Sequence, residues 1–231
     1  MKIRLVVCVI LKIFRMSLTY EIRPVHAAEW LPDRCMSMMD PLAISHLTPQ
    51  CGCPGLLSGK SPIRNRTDFE DFYSYVLNRF SCCGFVAWEK NRIIGYTNFF
   101  PHAIAREIKF YGWGGEEEVQ PGTLVHHCIS IIRNPDYRRK GIGSGLIRHS
   151  LEWARMHGWK RYEVHCVLPD TDQGAPSEQK SILSFWRKSG FTITREEEAD
   201  EETRKCYGAV KRYSLALDLG LLSQSFNSSE F

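Results

Sequence analysis

The stretch Ile131-Ile132-Arg133-Asn134-Pro135-Asp136-Tyr137-Arg138-Arg139-Lys140-Gly141-Ile142-Gly143-Ser144-Gly145-Leu146 decides how this chain is read. It opens at the end of a β-like run that starts near Thr123, and Asn134-Pro135-Asp136 is a turn signal that stops the strand. Beyond the glycines, Ile142, Leu146, Ile147, Leu151 and Ala154 recur at helical spacing, and Gly158 closes the helix. The unit is therefore strand, turn, Arg-x-x-Gly-x-Gly, helix. Glycines at 141 and 143 let backbone N–H groups approach an anion without an intervening Cβ. The first turn of the helix adds its unpaired donors and the positive end of its dipole. Arg138, Arg139 and Lys140 supply mobile charge for further oxygens, so a diphosphate is the natural ligand. No Gly-Lys-Ser/Thr ends the loop and no acidic residue follows at the spacing of a ribose contact, which excludes Walker and Rossmann readings.

Outward from this unit the chain alternates strands and helices. Tyr20 to Val25 reads as a short strand, with a helix expected around Ala27 to Met39 and a Cys/Gly/Pro-rich loop from Pro49 to Pro62. Phe69, Phe72, Tyr73, Val76, Leu77 and Phe80 mark a helix over 68–80, with Thr67 as its N-cap. A hairpin is expected over 85–100, then an elaborated loop from Arg106 to Gln120. On the C-terminal side, 161–168 is a strand, 181–189 a short helix stopped by Gly190, and 191–194 the start of another strand. The acidic run Glu196 to Glu202 reads as a turn and Tyr207 to Leu219 as the last strand. This order gives an α/β fold in a single domain over 16–219, with 220–231 as a tail.

A hydrophobic share of 43% and a charged share of 24% fit an ordinary globular chain, and its 231 residues suffice to bury a core without disulfides. A net charge of +4 with one basic cluster argues against nucleic acid as a partner. Cys51-Gly-Cys53 and Cys82-Cys83 are too close for a zinc knuckle, so no metal site is expected and the cysteines read as reduced, in a cytoplasmic protein. Residues 1–15 resemble a signal peptide only superficially. Lys12 interrupts their apolar run and no small-residue cleavage site follows, so they read as an extension or a misassigned start, and no membrane association is expected.

The decisive stretch resembles motif A of the GNAT acyltransferase superfamily, whose members carry strand, Pro-x-Tyr-Arg-x-x-Gly-x-Gly, helix. Phe185-Trp186-Arg187-Lys188-Ser189-Gly190-Phe191 is similar to that family's Leu-Tyr-x-x-x-Gly-Phe signature; Glu21-Ile22-Arg23-Pro24 and the hairpin from Gly84 to Gly95 are weaker matches. The resemblance implies a mixed, splayed GNAT-type sheet flanked by helices, with strands four and five parting at a bulge and the arm of acetyl-coenzyme A between them. It implies that the backbone of Ile131, Ile132 and Arg133 pairs with that arm. Arg138, Arg139, Lys140, Gly141, Ile142, Gly143 and Ser144 would hold the pyrophosphate, and Trp186 would stand beside the pantetheine. The implied reaction is direct attack of a small-molecule or peptide amine on the thioester. A homodimer stays open.

The catalytic positions depart from the family. Trp186 stands where members often have a thiolate-protonating tyrosine, and Gln179 stands near the place of their asparagine. No carboxylate lies between Thr123 and Asn134. His126 and His127 occupy that strand instead, and alternation lets at most one serve as a base toward the acceptor. Tyr162 is a candidate acid; Tyr137 is better read as packing. Glu116 to Glu118 and Glu196 to Glu202 would form an acidic rim attractive to a cationic amine, although charge runs are commonly solvated loops. Trp113 is a candidate substrate wall. Two other readings stand beside the enzyme: a GNAT-fold module that binds acyl-coenzyme A with little turnover, and a thiol- or metal-responsive protein built on Cys128, Cys166 and the neighbouring histidines.

Overall fold

The computed structural model describes residues 20–27, 66–107, 118–132, 134–137, 139–169, 177–199, 201, 204 and 209–220. The expected helix after Ala27, the loop over 49–62 and Trp113 lie outside them, as do Arg133 and Arg138. Seven strands form one sheet in the order β1-β2-β3-β4-β5-β7-β6. Strands β1 (Glu21–Pro24), β2 (Gly84–Glu89), β3 (Arg92–Pro101) and β4 (Thr123–Ile131) pair antiparallel in sequence order. Strand β5 (Arg161–Pro169) is parallel to β4 and antiparallel to β7 (Ala209–Asp218), which carries β6 (Thr192–Glu198) on its outer edge.

Period-two patterning splits the sheet into two apolar faces. Phe85, Ala87, Phe99, Leu124, Tyr162, Val164 and Leu215 face one core, closed by Leu146, Leu151 and Trp153 of α3 (Ile142–Met156) and by Trp186 of α4 (Ser177–Lys188). Val86, Tyr96 and Phe100 face the other core, with Tyr73 and Val76 of α1 (Arg66–Phe80) and Ile104 of α2 (His102–Glu107). Helix α1 begins at Arg66, which places Thr67 inside its first turn rather than at its cap. Helix α2 sits where the sequence suggests only the approach to a loop, because six residues are too few for periodicity to declare a helix.

The acidic run is also different from expectation. Glu196, Glu197 and Glu198 are strand residues opposite Tyr213, Arg212 and Lys211. Lys211 Nζ lies 2.6 Å from Glu196 Oε1, Arg212 and Arg195 each lie 2.6 Å from Glu197 carboxylate oxygens, and Arg204 lies 3.2 Å from Glu198 Oε2. Cross-strand charge pairing supplies what the strand propensity of glutamate lacks.

Two features of β4 position the site. Its ladder with β5 covers only Thr123↔Arg161, Leu124↔Tyr162 and Val125↔Glu163, after which the two strands part. On the β3 side Asn98 opposes Cys128 while Phe99 opposes His126, so His127 is an extra residue in a bulge. The sheet thus forks between β4 and β5 at the point where β4 is kinked.

Candidate active site

The floor of the fork begins at His126, the first β4 residue beyond the parallel ladder. The two histidines diverge. His126 lies on the α3/α4 face, with Nδ1 3.4 Å from the Tyr162 hydroxyl and its ring edge-to-face with Trp186 at 4.8 Å. His127 lies on the opposite face, with Nδ1 3.2 Å from Asn98 Oδ1 and its ring 5.2 Å from Phe100. Tyr162 is fully buried, and desolvation drives its phenol far above its usual value. Burial likewise pushes the His126 imidazole down to about 3, helped by the neighbouring His127. The structure therefore gathers His126, Tyr162 and Trp186 into one cluster and sets His127 apart.

The walls of the fork follow from backbone alternation. Ile132 N–H donates to the Ile94 carbonyl at 2.9 Å and its own carbonyl accepts from Asn134 N–H at 2.8 Å, so its main chain is engaged within the protein. Successive residues of a strand turn their polar groups to opposite edges, which leaves Ile131 and Ile129 with the fork-facing edge. Ile129 was not a sequence candidate; only the direction of the β3 pairing singles it out. The outer wall is Phe185 of α4. A Cβ added at Gly143 would meet Ile131 Cδ1 at 3.3 Å, Phe185 Cε2 at 3.6 Å and Ile129 Cδ1 at 3.7 Å. The glycine thus sits at the mouth of the fork, where β4, α3 and α4 converge.

At this mouth α3 starts as an anion site should. Gly141 caps it in a left-handed conformation, φ 79°, with no side chain bonded to the free N–H groups of the first turn. Arg139, at φ 57°, Lys140 and Ser144 are solvent-exposed around it, whereas Ile142 is buried and anchors the turn in the core. The preceding turn is fixed by Tyr137, which donates to Glu89 Oε2 at 2.5 Å and accepts from Arg92. That double contact with the β2–β3 hairpin accounts for Tyr137 as a packing residue. The cradle fits a diphosphate followed by an extended arm: donors without a cap, flanking cations, and an apolar slot bounded by Ile129, Ile131 and Phe185.

On the other face a depression of about 860 Å³ is lined by, among others, Thr123, Arg161, Glu163, His165 and Ser214. Arg161 bridges Glu163, at 2.5 Å, and Asp218, at 3.2 Å; Ser214 lies 3.0 Å from His165 Nδ1. Among the described residues no group of three or more His, Cys, Asp or Glu side chains could hold a metal ion, and no helix is long and apolar enough to cross a membrane. Cys82, Cys83, Cys128 and Cys166 are free thiols, and burial raises the first to about 11 and the last to about 12.

Comparison with known proteins bears on this geometry. A search of curated proteins finds no match. Among solved structures, an acetyltransferase of the GNAT family from Streptococcus pneumoniae superposes with a TM-score of 0.54 at 16% identity, covering 87% of this chain and 99% of its own. An N-acetyltransferase from Staphylococcus aureus Mu50 gives 0.50 at 15% identity with the same coverage. At such identities the likeness concerns the fold. The family model for the acetyltransferase (GNAT) family matches residues 54–191, a span that contains the hairpin, the forked strands, the glycine loop and α4. This chain belongs to the GNAT family of acetyltransferases.

Proposed function

We propose that the protein moves an acetyl, or another short acyl, group from acetyl-coenzyme A directly to a primary amine. The observation that carries this reading is the fork between β4 and β5 opening onto the uncapped, glycine-led N-terminus of α3. Arg139, Lys140, Gly141, Ile142, Gly143 and Ser144, with Arg138 beside them in sequence, would hold the pyrophosphate. The backbone edge of Ile129 and Ile131 would hold the pantetheine amides, with Arg133 next along the strand. Trp186 and Phe185 would flank the arm. In the reaction the amine nitrogen bonds the thioester carbonyl carbon, the carbon–sulfur bond breaks, and the thiol leaves with coenzyme A.

Of the two histidines, we assign the ligand-facing place to His126. An imidazole held at about 3 accepts hydrogen bonds at pH 7 but stores no proton, so the attacking amine must arrive neutral. The expected consequence is that the rising limb of kcat/KM against pH follows the ionisation of the amine. Two acceptors of different basicity should give two different apparent pKa values; a single value common to both would assign the limb to a protein base. The amine enters from the polar depression beside His165 and Ser214, which accommodates a small molecule or a peptide end.

Release of free thiol from acetyl-coenzyme A across an amine panel, with the acetylated amine identified by mass, tests the whole reading. A second reading, a module that binds acyl-coenzyme A with little turnover, is favoured by Trp186 and by the burial of Tyr162. Saturable coenzyme A binding without thiol release for any amine would establish it. We place the catalytic domain over 16–219 in the cytoplasm.

A further inference from the structure

Resting on the reading above, and going beyond it to the residues behind the ligand, the polar groups around His126 fix which of its nitrogens faces the fork. Ser150 of α3 is fully buried, and its hydroxyl donates to the Leu146 carbonyl at 2.9 Å. A serine has one proton to give, so toward any other neighbour this oxygen acts as an acceptor. That neighbour is the Tyr162 hydroxyl, with which Ser150 interacts. The Tyr162 proton therefore goes to Ser150, and the Tyr162 oxygen is left to accept from His126 Nδ1, 3.4 Å away. The opposite assignment, Tyr162 donating to His126, would set the Ser150 and Tyr162 oxygens against each other with no proton between them. His126 Nε2, on the far side of the ring, is buried and has no hydrogen-bond partner among the described residues.

We propose that a one-way chain of hydrogen bonds, from His126 Nδ1–H to Tyr162 to Ser150 to the Leu146 carbonyl, locks His126 as the Nδ1–H tautomer. It thereby presents a bare Nε2 acceptor at the root of the fork for an N–H group of the ligand. Tyr162 and Ser150 are positioning residues in this scheme: they touch no ligand and act by holding a tautomer. A buried acceptor without a partner is a cost to the free protein, and a ligand N–H relieves it. Two ligand groups share that chemistry, the amides of the coenzyme A arm and the nitrogen of the acceptor amine.

Long-range proton–nitrogen correlation on protein labelled with 15N-histidine reads the tautomer without any ligand. His126 should appear as the Nδ1–H form in the free wild-type chain, and Tyr162→Phe and Ser150→Ala should each convert it to a mixture. An Nε2–H form in the wild type, or a tautomer unmoved by both substitutions, overturns the proposal. Loss of the acceptor is then read with His126→Phe. A drop of about tenfold in affinity for coenzyme A alone assigns the N–H to the arm; unchanged coenzyme A affinity with about tenfold higher KM for the amine assigns it to the acceptor. Partial recovery in His126→Gln, which restores an acceptor on a longer stem, is expected in either case. No change in either constant overturns the ligand half of the proposal. Should His126→Phe not fold, the same two constants are read in Tyr162→Phe. Failure of the wild type to bind coenzyme A would refute the acyltransfer reading but would leave the tautomer result standing by itself.

Discussion

At Gly143 the chain has room for a hydrogen and for little else. Leucine there would push into Ile131, Ile129 and Phe185 at the mouth of the fork. Gly143→Leu should weaken coenzyme A binding by at least about tenfold by calorimetric titration while leaving most of the fold intact, because the strain can relax outward into the ligand's space. Gly141→Ala tests the backbone instead: at φ 79° an added Cβ costs about 1 kcal/mol, readable as a lower denaturation midpoint. Buried histidines set the response to acid. His126 and His165 are both held at about 3 against an ordinary value of 6.5. As pH falls below 6.5 the unfolded chain takes up protons that the native state refuses, so stability present at pH 7 is lost on acidification. Each histidine should account for up to about 2 kcal/mol of loss between pH 7 and pH 5, and His126→Phe should remove about half of the combined effect in urea titrations at the two values. The glycines announced their role in the sequence because loop chemistry is local. The partners of His126 did not, because Tyr162, Ser150 and Trp186 reach it from three other elements.

Among the elements, α3 and its loop were legible from spacing alone, as were α1, the hairpin and β7. Strand β6 was not, since a run of glutamates reads as solvated turn until Lys211 and Arg212 are known to lie across from it. This placement also removes part of the expected acidic rim. With Glu196, Glu197 and Glu198 each paired to a cation, Glu196→Gln and Glu198→Gln should leave the KM for a cationic amine within about twofold. Glu197→Ala should cost no more than about 1 kcal/mol of stability, less at high salt, because the pairs are partly solvated. Helix α4 behaves differently. Trp186 is 3% exposed and packs against His126, Phe185 and Phe191 with ring centroids 4.8 to 5.1 Å apart. Trp186→Ala should therefore cost about 3–5 kcal/mol by chemical denaturation.

Over the whole molecule, a seven-stranded mixed sheet is held together by antiparallel ladders everywhere except at β4–β5, where three residue pairs make the only parallel contact. The alternation of strands and helices foretold an α/β sheet, and the likeness of the glycine loop to a family foretold the parting of two strands. Neither located the parting: the position of the fork depends on where β5 stops following β4 and on the extra residue His127, both long-range outcomes of pairing. The account stands or falls on whether the acyl donor lies along that exposed edge. Amide hydrogen exchange of β4, followed residue by residue with and without acetyl-coenzyme A, measures this most directly. The N–H groups of Ile129 and Ile131, which face the fork, should become protected on addition of the cofactor, while Ile132, already bonded to Ile94, should not change. Equal exchange at Ile129 and Ile131 with and without saturating acetyl-coenzyme A would contradict it.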